Sequence, residues 1–237
     1  MGAYGVWRVL SAAPEEVSLD AAVAAVKQQE ASNTDAGDEA VAGNKETDAA
    51  GDAVSLNGVW RVDSETGSFS FEESTGSFVG FRVKEELAKI GATTAVGRTD
   101  QVTGELSIDG SEIQTVSISA DLSSIVTNDS RRDSAARYAL NVKQNPTATF
   151  NLTQPLELPQ IDGSKVSVRA EGQLTVNAIT RDVNVDLDAQ LVDNTIVVVG
   201  STKVTFSDYD VTAPSAAIVL SVDDHGVIEF QLLFSRK

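Results

Sequence analysis

The sequence predicts an all-β protein: one extended antiparallel β-barrel of eight strands over residues 58–237, behind an N-terminal helical and linker extension over residues 1–57. Three observations carry this. Apolar and polar residues alternate with period two in at least seven segments after residue 58, as in strands with one buried face. Turn-forming groups, Asp109-Gly110, Asp162-Gly163 and Asp223-Asp224-His225-Gly226, fall between those runs. A 3.6-residue apolar period is found only before residue 58.

The extension differs in composition from the rest. Residues 1–57 hold ten acids against three bases, and their only aromatics are Tyr4 and Trp7. The opening run MGAYGVWRVL reads either as an apolar patch on a tail or as the end of a membrane tether, since Tyr and Trp sit at membrane interfaces. Ser18 suits a helix N-cap, and Leu19, Ala22, Val23 and Val26 follow at helical spacing up to Glu30. Ala31–Ser55 has no apolar period and reads as a charged linker.

Beyond residue 58 the apolar phase runs through Leu106 and Ile108, then Val116, Ile118, Ala120 and Leu122. It continues in Val166, Val168 and Ala170, in Leu174 and Val176, and in Val183, Val185, Leu187 and Ala189. Ile218, Leu220 and Val222 precede a last run of Ile228, Phe230, Leu232 and Phe234. Gly104–Gly110 (GELSIDG) echoes Gly172–Ala178 (GQLTVNA), as expected of a meander of similar hairpins. A meander of this length must hide its edges; a closed barrel does so completely, and two stacked sheets also satisfy the alternation.

Charge and composition narrow the function. A net charge of −17 repels a phosphate backbone, so no nucleic-acid partner is expected. Cysteine is absent and His225 is the single histidine, which leaves no thiolate chemistry and no histidine-built metal centre. No phosphate-cradling glycine loop or dinucleotide fingerprint is present, and no cofactor is expected. His225 lies in a turn-like acidic segment, where a solvated side chain is the ordinary state, and most acids fall on the polar phase of strands. The chain therefore reads as a binding protein and not an enzyme. No apolar run approaches the ~20 residues that span a bilayer as a helix.

The interior leaves two readings open. Small aliphatic side chains leave a tube for one slender ligand, whereas the same β-branched residues also build a filled core. Arg131-Arg132-Asp133 likewise reads as a solvated loop or as a rim that meets an anionic head group.

Several stretches resemble one family in order along the chain. Gly58–Asp63 (GVWRVD) is similar to its opening strand, and Ser77–Glu85 (SFVGFRVKE) and Ala95–Gly104 (AVGRTDQVTG) to its second and third strands. Arg131-Arg132-Asp133 followed by Pro146-Thr-Ala-Thr-Phe150 resembles an "RD … P-T-A-T-F" signature, and Gly172–Arg181 (GQLTVNAITR) a "G-x-L-T-x-x-G-x-T-R" motif. This is the pattern of the YceI-like family. The resemblance implies a lipocalin-like barrel, usually extracytoplasmic, whose interior takes a polyisoprenoid or isoprenoid-quinone-like tail. It favours a carrier or storage protein over the alternative, a ligand-free interaction domain with a filled core. Two departures touch the ligand end: Glu85 stands where many members have His, and Tyr138-Ala-Leu140 replaces an aromatic pair.

Alternation, together with the family register that puts Ser77, Val79, Phe81, Val83 and Glu85 on one face, assigns the tube. Val79, Phe81 and Val83 are expected to line it. So are Leu106, Ile108, Val116, Ile118, Leu122, Phe150, Val168, Leu174, Val185, Leu187, Phe230 and Leu232. Arg131 and Arg132 are the expected rim. The expected partners are an apolar lipid, a membrane through the N-terminus, and a second copy of the chain through apolar residues left on outer strand faces.

Overall fold

The computed structural model describes residues 13–35, 55–159, 163–214 and 219–236. The apolar phase of most alternating runs points to one interior, and the strands close around it; the run through Leu220 and Val222 does not follow, with Leu220 63% exposed. Eight strands form the ring: β1 (Gly58–Val62), β4 (Val102–Asp109), β5 (Glu112–Asp121), β7 (Thr147–Leu152), β9 (Val166–Val176), β10 (Ile179–Val192), β11 (Thr195–Thr205) and β12 (Val219–Ser235). Arg61 opposite Ser235 and Val62 opposite Phe234 shut it. All pairings are antiparallel, and closure removes the exposed edges that an open meander would leave.

β12 is long enough to serve two neighbours. Its last residues pair with β1, while the stretch Val219–Gln231 pairs with β2 (Phe78–Leu87), which in turn pairs with β3 (Gly91–Thr99). The short β6 (Val126–Thr127) continues from β3, and β8 (Leu156–Glu157) lies on β5. Asp109-Gly110 does form the β4–β5 turn, with Gly110 in the left-handed region at φ 61°.

Asp223–Gly226 is not the turn its composition predicts; it lies inside β12, where the register against β2 shifts between Val222 and Gly226. Two contacts hold this irregularity. The Asp224 carboxylate accepts from the Ser207 backbone N–H and hydroxyl. Gly226 leaves room for the Phe206 ring, which a Cβ would meet at 2.3 Å. A second departure is α2 (Asp133–Ala139), a helix too short to show a period in the sequence.

The N-terminal helix exists and runs further than its apolar spacing predicts. α1 spans Leu19–Asp35, so the first residues of the expected linker are helical, with the Ser32 hydroxyl donating to the Gln28 carbonyl. Leu19, Ala22, Val23 and Val26 are buried against Val192, Val197, Val199 and Leu233 on the outer face of β10–β12. This explains why Thr195–Gly200 is buried at every position: alternate side chains face the lumen and the helix. The MGAYGVWRVL run, the rest of the linker, Ile218 and Asp162 lie outside the described residues. None of the described helices is long and apolar enough to cross a membrane.

The chain before α1 is strapped to the barrel by a buried ion triad. Glu229, 1% exposed, accepts from Arg82 Nε at 2.6 Å and from Arg98 at 2.7 and 3.0 Å. The two guanidinium groups reach on to the backbone: Arg82 donates to the Pro14 and Glu15 carbonyls, and Arg98 to Glu15 and Phe71. Arg98 also lies 4.6 Å over the Phe78 ring. Every charge here is both paired and hydrogen-bonded, the condition under which buried ions are tolerated.

Candidate functional site

The barrel is not filled. An apolar cavity of about 170 Å³ runs through its interior. Among the expected lining residues, Val79, Leu106, Ile108, Val116, Ile118, Phe150, Val168, Leu174, Val185, Leu187, Phe230 and Leu232 face it. Among the described residues, the polar side chains in its wall are Thr149, Ser164, Gln190 and Thr202, and none is charged. An apolar void near 150 Å³ stays dry and takes up a benzene-sized guest, so this one has room for a slender hydrocarbon segment without water competing for it.

Phe81, Val83 and Leu122 do not line the cavity. They share the inward phase or its end but sit further along the axis, where the lumen is closed. The Phe81 ring lies over Gly97, whose Cβ position is 2.4 Å from the ring edge, so β3 can approach only because that residue is glycine. Leu122 leaves the strand altogether: it begins a 3-10 turn capped by the Asp121 carboxylate, and its N–H donates to the Pro146 carbonyl. Next to them a cluster of Val204, Phe206, Tyr209, Val211, Ile179 and Val176 fills the same end.

Arg131 and Arg132 belong to that closed end, and their charges are already taken. Arg131 grips Asp129 through Nε and Nη2 at 2.9 and 2.6 Å; its hydrogen bonds hold the Asp129 carboxyl below the usual carboxylate range. Arg132 pairs with the buried Glu85 at 2.5 Å. Glu85 follows Val79, Phe81 and Val83 in the same strand phase, so this ion pair lies beyond them along β2, at the position where the sequence departs from the expected His. Tyr138, in place of the expected aromatic pair, is 85% exposed on α2.

The other end is the mouth. Ser164 both lines the cavity and is exposed, and Leu156, Leu158 and Gln190 beside it are half-buried. Here the wall loosens for a local reason. The β7–β9 ladder ends at Leu152 opposite Gly172, with the Thr153 N–H still donating to the Glu171 carbonyl; the chain then bends over Thr153–Gln154, and β8 follows β5 instead. Pro155 has no N–H to continue a ladder. No β8–β9 pairing occurs among the described residues.

Other lining residues were not singled out in the sequence. Val166, Ala170, Val183, Ala189, Ile228 and Phe234 stand in the alternating runs, in the same phase as those that were, but were not assigned to the tube. Leu56, Leu156 and Leu158 come from outside the long strands, with no period to mark them.

Two acidic groups meet beside the mouth. Asp193 occupies the β10–β11 turn, and Glu30 approaches it from α1. Burial, then the hydrogen bond and charge of Asp193, push the Glu30 carboxyl up to about 7. A carboxyl whose pKa rises on docking favours the docked state at low pH. Its contribution is complete below 4.5, the undocked value, and is lost as pH rises through about 7. Helix α1 is therefore expected to show higher amide protection at about pH 5 than at about pH 8, and Glu30→Gln to remove that difference.

His225 is exposed on β12 opposite Thr205. The nearby Ser207 hydroxyl directs its hydrogen to Asp224 at 2.5 Å, and those bonds hold Asp224 below the usual carboxylate range. Among the described residues, no group of three or more His, Asp or Glu is placed to hold a metal ion.

Comparison with known proteins agrees with this architecture. The model of the YceI-like domain matches residues 60–234. A UPF0312 protein of Pseudomonas aeruginosa (strain LESB58) is 29% identical over 118 residues, 48% of this chain and 56% of the relative, so the match spans little more than half of that protein. A Pseudomonas paraeruginosa UPF0312 protein matches to the same extent. Among solved structures, a polyisoprenoid binding domain from Saccharophagus degradans superposes with a TM-score of 0.53 at 18% identity, covering 68% of this chain and 94% of that one. Burkholderia cenocepacia BcnA gives 0.53 at 18%, covering 73% and 98%. At such identities the likeness is one of fold.

Proposed function

This chain belongs to the YceI-like domain family, and on that footing we propose that it binds, stores or transports a long apolar lipid inside its barrel, without catalysis. The observation that carries the reading is the almost wholly aliphatic cavity, uncharged among the described residues, that reaches solvent beside Ser164 and meets the packed Val204–Tyr209 cluster at the other end. A tube of that kind suits a chain, such as a polyisoprenoid or an isoprenoid-quinone tail, entering tail first. The polyisoprenoid binding domain from Saccharophagus degradans, which shares the fold, supports this choice. The reading places the protein outside the cytoplasm, held near a membrane by its N-terminal segment.

Burial of each CH₂ contributes about 0.8 kcal/mol, so ten carbons contribute roughly 8 kcal/mol gross, near a micromolar dissociation constant before ordering costs. No hydrogen bond is required, and tails of different kinds should compete. The cavity also weighs against the alternative of a ligand-free domain with a filled core. Native mass spectrometry and organic extraction of the purified protein test the proposal. A co-purifying lipid of stoichiometric amount is expected; an empty protein that takes up neither a polyprenol nor a quinone would remove it.

A further inference from the structure

We propose that the mouth of the barrel selects uncharged lipids, such as prenols and quinones, and rejects lipids of the same tail that carry an anionic head. This rests on the lipid-binding reading above and adds the class of head group to it.

The distribution of charge carries the inference. The rim is built from the β4–β5 turn, β8, the segment entering β9 and the β10–β11 turn, and it presents Asp109, Glu112, Glu157 and Asp193. Glu112 and Glu157 are direct cross-strand partners, one residue beyond the pair Ile113–Leu156 that lines the cavity. Like charges held opposite each other weaken a sheet, so this pair is maintained against its own cost. Glu30 adds a further carboxyl against Asp193; burial first, then the Asp193 hydrogen bond and charge, raise it to about 7.

Among the described residues, few cations offset this, and those are engaged. Lys165, the single base on these rim elements, is bound to Asp188 at 2.7 Å. Arg236, toward the same end, lies 4.4 Å over the Trp60 ring and donates to the Ser55 carbonyl. Arg131 and Arg132, the groups best suited to a phosphate, are at the far, closed end with their charges paired to Asp129 and Glu85. Among the described residues, an anionic head left at the mouth would meet several carboxylates, with Lys165 already paired to Asp188 and Arg236 held against Trp60 and Ser55, whereas an uncharged hydroxyl or carbonyl is not repelled by them.

The test uses geranylgeraniol and geranylgeranyl phosphate as a pair, so that tail burial cancels. Each displaces a fluorescent apolar probe from the full chain. The alcohol should bind at least about tenfold more tightly than the phosphate at about 20 mM salt, and the gap should shrink at about 1 M, where charges are screened within ~3 Å. Glu112→Lys combined with Glu157→Lys should narrow or invert the ratio, and a ratio taken within one variant is insensitive to general damage. Should that variant fail to fold, the salt dependence of the wild type decides alone. Equal affinities in the wild type, or a gap that ignores both salt and charge reversal, would overturn the selection. Failure of both ligands to bind would instead overturn the carrier reading.

Discussion

Glu229→Gln is expected to destabilise the domain by about 3–5 kcal/mol, the cost of leaving buried charge without its counter-ion. The side chains of Arg82, Arg98 and Glu229 are 10%, 4% and 2% exposed, so water cannot stand in for the lost carboxylate. Two guanidinium groups would compete for one amide oxygen on the outer wall of β2, β3 and β12. Equilibrium urea unfolding reads this directly: with a slope of roughly 2 kcal/mol/M, the midpoint should fall by roughly 2 M. Replacing the whole triad with Arg82→Met, Arg98→Leu and Glu229→Leu should restore most of that loss, because an apolar patch of similar volume carries no desolvation penalty. The Pro14 and Glu15 carbonyls would still have lost their donors, so the segment before α1 should lose protection in the triple variant although the barrel recovers. An unchanged midpoint in Glu229→Gln would show that the triad contributes nothing net.

Ala170→Phe should abolish most lipid binding while leaving stability unchanged or slightly raised. Ala170 is 3% exposed on β9, lines the cavity, and lies between Val166 and Leu174 along the same inward phase. A phenyl ring there occupies the void midway, so a tail can fill only the outer part. Losing about five methylenes of burial removes roughly 4 kcal/mol, close to a thousandfold in affinity. Forcing a ring into a filled core costs about 1–3 kcal/mol; into a void of about 170 Å³ it should not. Thermal unfolding and probe displacement on the same sample separate the two effects. Tyr138→Ala, on the exposed face of α2, serves as the control that changes neither. Undiminished binding in Ala170→Phe would place the ligand somewhere other than the lumen.

Much of this site was legible in the residues themselves. A strand has a side-chain period of two, so Leu106 and Ile108, or Val185 and Leu187, declare their face without any knowledge of their neighbours. The ordered motifs from Gly58 to Arg181 then turned a set of one-sided strands into a closed barrel. The same logic failed for Phe81 and Val83, which share the phase of Val79 yet stand at the closed end. Period two says which side of the sheet a residue faces and nothing about its depth along the tube. Depth follows from strand stagger and from what closes each end.

The triad, the Arg132–Glu85 pair and the docking of α1 on β10–β12 join residues 47 to 214 positions apart. In the sequence nothing marks which of these residues meets which. Thr195–Gly200 shows the division most plainly. An unbroken apolar run announces burial on both faces, but whether the second cover is another sheet, a partner or the chain's own helix depends on a meeting that no local pattern encodes. Local periodicity therefore determined the strands, their inward faces and the greasy character of the lumen. Tertiary structure alone decided which end is open, where the charges cancel and what covers the outer wall, because those depend on distances through space between segments whose separation along the chain carries no signal.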